Sequence, residues 1–301
     1  MMLKNQLAFF TTLFIAFASC SADVHVQNSN DVIVENGNSL LWKIEGNGCK
    51  PSYVFGTMHM IEEEYFHMSA SLIEKISKSD AIIMEVGGMP NPIEAMNMMM
   101  LDSGTVHDYF TKEQMHTLLE FMDKKLDTDP ETFHTVYGKM KPFFILQAIS
   151  QGFFSENAVS YDLNIMGIAK QKNIPLIGLE TIEEQLGFFD QIPSAEMAAL
   201  IMQSVENFDD EKKETQKLMK IYAEQDVKKM IPMMKKQSPE FMKFEDTFLT
   251  NRNKNWIPKL MEEMATKHCF IAVGAAHLFG ENGILKLLEA QGYTVTAVST
   301  N

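Results

Sequence analysis

YVFGTMH (53–59) and IAVGAAH (271–277) decide the fold of this chain. Each is an apolar strand running into Gly-x-x-His. The glycine allows a sharp bend or a close approach as the strand ends. The histidine then projects from the strand's C-terminal end, the edge of an α/β sheet where ligands bind. The two copies lie far apart in the sequence, so they read as two halves of one site rather than as a repeat array. Two more apolar runs point to the same edge. AIIMEV (81–86) is a short buried strand carrying Glu85 near its end, and IPLIGL (174–179) runs into Glu180.

Outward from these strands, LLWKIE (40–45) and SYVFGT (52–57) flank Gly46-Asn47-Gly48 and predict a β-hairpin with a longer loop. Helical spacing follows over 69–79, and Pro90 and Pro92 open a helix over 93–101. Between about 91 and 265 most of the chain has a period near 3.6: 111–125, 141–150, 158–172, 195–208, 211–223 and 246–265. A helix is also expected over 181–189. The end returns to strand, helix and strand over 269–274, 283–290 and 293–298. The expected fold is α/β: a mixed central sheet built from N- and C-terminal parts, with a large helical insertion lying over it.

The 301 residues include 46% hydrophobic and 22% charged types, enough for a core and unlike a disordered chain. The net charge is −14 without a Lys/Arg-rich run, which argues against nucleic acid as a partner. Three cysteines exclude a disulfide-rich scaffold. Residues 1–19 hold one charge, Lys4, and an apolar run of signal-peptide length. It ends in Phe17-Ala18-Ser19-Cys20, which resembles a bacterial lipobox with Cys20 as the acylated residue. The segment 20–38 is polar and reads as a tether, and 39–301 as the folded body. Ser21, where an Asp would retain the protein at the inner membrane, favours the outer membrane.

Two imidazoles and one or two carboxylates at strand ends suit a divalent cation. Such an ion lowers the pKa of bound water and polarises a carbonyl, and a carboxylate off the metal takes the water's proton. Glu85, buried without a partner, would cost several kcal/mol, so a cation, an arginine or a metal is expected beside it. Glu180 is either part of the site or a cap for the helix after it. His25, His67, His107, His116, His134 and His268 lack this context. Met84, Met89, Met96, Met98, Met99 and Met100 read as soft packing, with a peptide groove or a Cu(I) site as alternatives.

LWKIE, SYVFGTMH, DAIIMEV, YDLNIMGIAKQKNIPLIGLET, NRNKNW and FIAVGAAHLFGENGILKLLEAQGYTV, in this order from Leu40 to Val298, resemble the TraB/GumN family, which includes the Tiki proteases. The resemblance implies a metal-dependent hydrolase using Mn²⁺ or Co²⁺, with Zn²⁺ as a third choice. It assigns His59, His277 and Glu85 to the metal and places Arg252 on a helix facing the site. There it either stabilises an oxyanion or orients a carboxylate. His-Glu-x-x-His is absent from the family and from this chain. The expected function is a lipid-anchored envelope peptidase acting on peptides or proteins, with Glu85, Glu180 and Arg252 catalytic. The rivals are a non-catalytic peptide- or haem-binding lipoprotein and a metal-independent esterase. Cys49 and Cys269 each precede a motif strand; they close a disulfide only if those strands are parallel neighbours, and free thiols are the favoured expectation.

Overall fold

The computed structural model describes residues 31–300 apart from 36, 89 and 238–242. The signal segment, Cys20 and the first part of the tether lie outside the described residues. Six strands form one sheet: β1 (Leu41–Glu45), β2 (Ser52–Thr57), β3 (Ala81–Val86), β4 (Leu176–Glu180), β5 (Cys269–Gly274) and β6 (Thr294–Val298), in the order β4-β3-β5-β2-β1-β6. β4, β3, β5 and β2 are parallel neighbours, whereas β1 is antiparallel to both β2 and β6. The sheet is mixed, and its centre joins the two ends of the chain, as the apolar runs predict.

The near-continuous apolar runs of β3 and β5 follow from burial on both faces. Along β3, Ile82 and Met84 face one layer and Ile83 the other. The first layer holds α1 (Ala70–Ser77), α6 (Tyr161–Lys172), α9 (Phe208–Ala223) and α10 (Val227–Gln237), through Leu72, Ile76, Tyr161, Ile165, Met219, Tyr222 and Met230. The second holds α11 (Asn251–Thr266) and α12 (Ile284–Ala290), through Trp256, Leu260, Met264, Ile284 and Leu288.

The helical middle therefore divides. α6, α9, α10 and α11 cover the sheet. The others build a separate core: α3 (Lys112–Leu126), α4 (Pro130–Tyr137), α5 (Phe143–Gln151) and α8 (Ser194–Glu206), packed through Leu118, Phe133, Ile145, Ile149 and Ile201. α2 (Pro92–Met99) follows β3, and α7 (Ile182–Asp190) follows β4. Of the methionines after β3, Met99 and Met100 pack against the second core, while Met96 is exposed.

The segment read as a tether reaches the sheet before its expected end. Ile33 bridges Val298, and Asp31 pairs with the buried Lys75 at 3.1 Å and accepts from Tyr53 at 2.9 Å. Cys49 and Cys269 are free thiols. The premise of the bridge is met, since β2 and β5 are parallel neighbours, but Cys269 lies deep at the start of β5, beside Ser52, whose Oγ accepts from its N–H at 3.0 Å. Cys49 sits in the hairpin loop three residues earlier than Ser52.

Candidate functional site

The four parallel strands end side by side, and each delivers one side chain to the same edge. Val86 pairs with Glu180, and Thr57 with Gly274. Across the edge the order is Glu180 at the end of β4, Glu85 on β3, His277 just beyond β5 and His59 just beyond β2. Glu85 shares the face of Ile83, the side covered by α11, and α11 supplies Arg252. All five residues singled out in the sequence thus meet at one place.

Gly274 marks the centre. A Cβ there would lie 3.2 Å from Glu85 Oε1, 3.7 Å from His277 Cδ2 and 3.8 Å from His59 Nε2. Its N–H donates to Glu85 Oε1 at 2.8 Å. Only a residue without a side chain leaves that cradle open.

Arg252 uses every N–H of its guanidinium. Nε donates to Glu180 Oε1 and Oε2 at 3.0 and 3.2 Å; Nη1 donates to the Phe248 carbonyl at 2.9 Å and to His277 Nε2 at 3.2 Å; Nη2 donates to Glu85 Oε2 at 2.6 Å and to Glu180 Oε1. Phe248 lies in a π-helical turn, Asp246–Thr250, that leads into α11. Such turns are frequent at functional sites. The guanidinium also lies 4.8 Å from the ring centre of Trp256. So Arg252 is an orienter of carboxylates, with no donor left over for an oxyanion. Glu180 is also saturated, accepting from Trp256 Nε1 at 3.2 Å as well as from Arg252. It does not cap α7; Thr181 does, in a capping box with Glu184.

The two histidines differ in setting. His277 is 4% exposed. The Asn253 amide nitrogen donates to two carbonyls, so its Oδ1 accepts from His277 Nδ1 at 2.6 Å. Burial, with Arg252 and His59 nearby, lowers the His277 pKa to about 4, so the ring is neutral. The His59 side chain is 71% exposed, and its Nδ1 bonds Asp162 Oδ2 at 3.0 Å. That hydrogen bond raises its pKa to about 9. No described residue bonds its Nε2. Burial would raise the pKa of Glu85, but the two imidazoles, Arg252 and the Gly274 N–H outweigh it and bring it to about 2. Arg252 carries the fixed positive charge in that balance.

Among the described residues no group of three or more His, Cys, Asp or Glu is gathered as a metal shell. The donor chemistry and the cradle nevertheless fit a cation. His59 Nε2 and Glu85 Oε1 face the Gly274 cradle, and Nδ1 of each histidine is held by an oxygen, the arrangement typical of ligating histidines. His277 Nε2 is the donor already engaged, by Arg252.

Asp162, Asn253, Thr57 and Gln185 were not legible as site residues. Asp162, in the first turn of α6, reads there as a complement to the helix dipole. Gln185, on α7, donates to Glu85 Oε2 at 3.1 Å. Asn253 and Trp256 belong to the NRNKNW stretch, and their neighbourhood to Arg252 was the available signal. His107 and His134 pair with each other at 3.1 Å, away from this edge.

The chain is thus a mixed α/β protein with two strand-end histidines over paired carboxylates. The TraB/PrgY/gumN family model matches residues 40–297, and the chain belongs to that family. It is 24% identical over 261 residues to uncharacterized protein YbaP of Shigella flexneri and, to the same extent, to uncharacterized protein YbaP of Escherichia coli (strain K12). Each alignment covers 84% of this chain and 94% of the relative. No solved structure matches the chain. Among the described residues no helix is long and apolar enough to cross a membrane.

Proposed function

We propose that the protein is a lipid-anchored hydrolase of the bacterial envelope that cleaves peptide bonds with a divalent metal, in the manner of the Tiki-like branch it resembles. The observation that carries this reading is the cradle at Gly274, which Glu85 Oε1, His277 and His59 Nε2 all border within 4 Å. His59 Nε2 and Glu85 Oε1 would hold the ion, Mn²⁺ or Co²⁺ ahead of Zn²⁺, and His277 would join them through Nε2 where Arg252 releases it. When bound, the ion supplies Lewis acidity and a water acidified toward neutral pH.

The protein's own groups prepare the place. Arg252 and the Gly274 N–H keep Glu85 ionised despite its burial. Glu180 and Trp256 keep Arg252 in position. Burial keeps His277 neutral and able to accept. His59 is the most solvent-exposed of these groups. A peptide or protein substrate is the expected partner.

The test is elemental analysis of the purified soluble form, from about residue 28 onward, with turnover of a peptide library. His59→Ala and His277→Ala are each expected to lose tight Mn²⁺ or Co²⁺ binding while the fold survives. Variants that bind these ions as well as the parent would overturn the metal reading.

One observation favours a second reading, a hydrolase without metal. His59 with Asp162 is an exposed imidazole oriented by a carboxylate, the arrangement of a general acid–base group, protonated below about pH 9. Turnover that persists after exhaustive chelation would select it. Binding of peptide without any turnover would instead select the sequestering lipoprotein.

A further inference from the structure

Asp162 divides its two oxygens between two residues of one strand end. Oδ2 bonds His59 Nδ1 at 3.0 Å, and Oδ1 accepts from Thr57 Oγ1 at 3.1 Å. Thr57 is the last residue of β2 and is 1% exposed. The carboxylate is thus tied to the sheet at one oxygen and to the motif histidine at the other. α6 does not need Asp162 for its packing. Tyr161, Ile165 and Ala169 already seat that helix, with Tyr161 against Phe55, Phe66 and Tyr222 at centroid distances of 5.6, 4.6 and 5.6 Å.

An ionised carboxylate only accepts, so His59 Nδ1 carries the proton and Nε2 is the nitrogen turned toward the cradle. An imidazole this exposed would otherwise turn about its χ2 angle. His277 shows the same device with a different donor set: Asn253 Oδ1 holds its Nδ1 at 2.6 Å. Asp162 comes from the layer on one face of the sheet and Asn253 from the layer on the other. The two Gly-x-x-His histidines are therefore gripped from opposite faces, each by its Nδ1.

We infer that Asp162, braced by Thr57, is the positioning residue for His59: it fixes the ring with Nδ1–H toward α6 and aims Nε2 at the point bordered by Glu85. The inference rests on the reading that His59 and Glu85 are the working groups of this site. It does not depend on whether they hold a metal.

The experiment uses the soluble protein labelled with ¹⁵N-histidine, in alkaline solution where the ring is neutral. The parent is expected to show His59 as the Nδ1–H tautomer. Asp162→Ala is expected to shift it toward Nε2–H, the form an unconstrained imidazole prefers. Asp162→Asn, whose amide oxygen can accept as Asn253 does for His277, is expected to restore the parent signature. Co²⁺ titration by visible absorbance is expected to give binding about 10- to 100-fold weaker in Asp162→Ala. Thr57→Val removes only the brace, and should weaken both signals if Asp162→Ala does not fold. Unchanged tautomer and Co²⁺ affinity in Asp162→Ala, or in Thr57→Val when that is the variant that folds, would overturn the inference. A parent that takes up no Co²⁺ but whose His59 tautomer still responds to Asp162→Ala sustains the inference while removing the metal reading.

Discussion

Arg252 is the residue on which the site turns, because two buried carboxylates depend on it. Glu85 and Glu180 side chains are 10% and 7% exposed. Removing a buried partner leaves uncompensated charge, at a cost of about 3–5 kcal/mol. Arg252→Met should therefore lose stability in that range by urea denaturation at neutral pH, and a loss under about 1 kcal/mol would mean that the network is solvated like a surface pair. The pH dependence of the parent has a definite sign. His277 is lowered from 6.5 to about 4, so in that window the unfolded chain binds the extra proton, and stability is lost as pH falls through it. Glu85, lowered from 4.5 to about 2, adds a second loss at lower pH. His59 is raised from 6.5 to about 9, so its contribution is present below 6.5 and fades as pH rises toward 9. Denaturation midpoints across this range should fall on the acid side in two stages. A parent whose midpoint is flat from pH 6.5 down to 4 would remove His277 from that account.

At the scale of elements, two close approaches fix the edge on which the side chains stand. A Cβ on Gly87 would meet the Gly178 nitrogen at 2.2 Å, and one on Gly178 the Gly87 nitrogen at 2.3 Å. The backbones of β4 and of the turn after β3 touch there, two residues before Glu180. Gly178→Ala must push β4 outward, and with it Glu180 away from Arg252. A loss of about 1–3 kcal/mol or more is expected, as for overpacking. Gly167, inside α6, has open space where a Cβ would go, and Gly167→Ala should gain about 0.5–1 kcal/mol. Thermal melts of the two variants should move in opposite directions; Gly178→Ala melting with the parent would mean that the contact relaxes freely. These contacts also mark how far the sequence could be read. The strands were legible because burial on both faces leaves an apolar run bounded by Gly and charge. α4 and α10 were not assigned; Pro130 stands at the head of α4 and Pro232 inside α10, where proline obscures a helical pattern. The closeness of Gly87 to Gly178 had no signal at all, because it arises from sheet order.

At the scale of the whole molecule, the residues of the site were legible and their contacts were not. Strand-end position follows from local pattern, so His59, Glu85, Glu180 and His277 could be gathered at one edge. Which atom meets which depends on the layers that cover that edge, and Asp162 and Asn253 come from helices of opposite layers. The two-layer cover also bears on how the protein meets a membrane. The described residues begin at Asp31, which is clamped to Lys75 and Tyr53, with Ile33 paired to the edge strand β6. From Cys20 to that clamp are eleven residues, a reach of about 40 Å at full extension. An acyl anchor on Cys20 would therefore hold the body within one domain diameter of the bilayer. The net charge of −14 gives the body no attraction of its own for an anionic surface, and no described helix can span. If Cys20 is acylated as proposed, membrane association would rest on its acyl chains, since stable anchoring takes two such signals. Cys20→Ser is expected to move the protein from the membrane to the soluble fraction after cell breakage, with hydrolysis of small soluble peptides unchanged. A Cys20→Ser protein that stays with the membranes would show that an uncleaved N-terminal segment, rather than acylation, supplies the attachment.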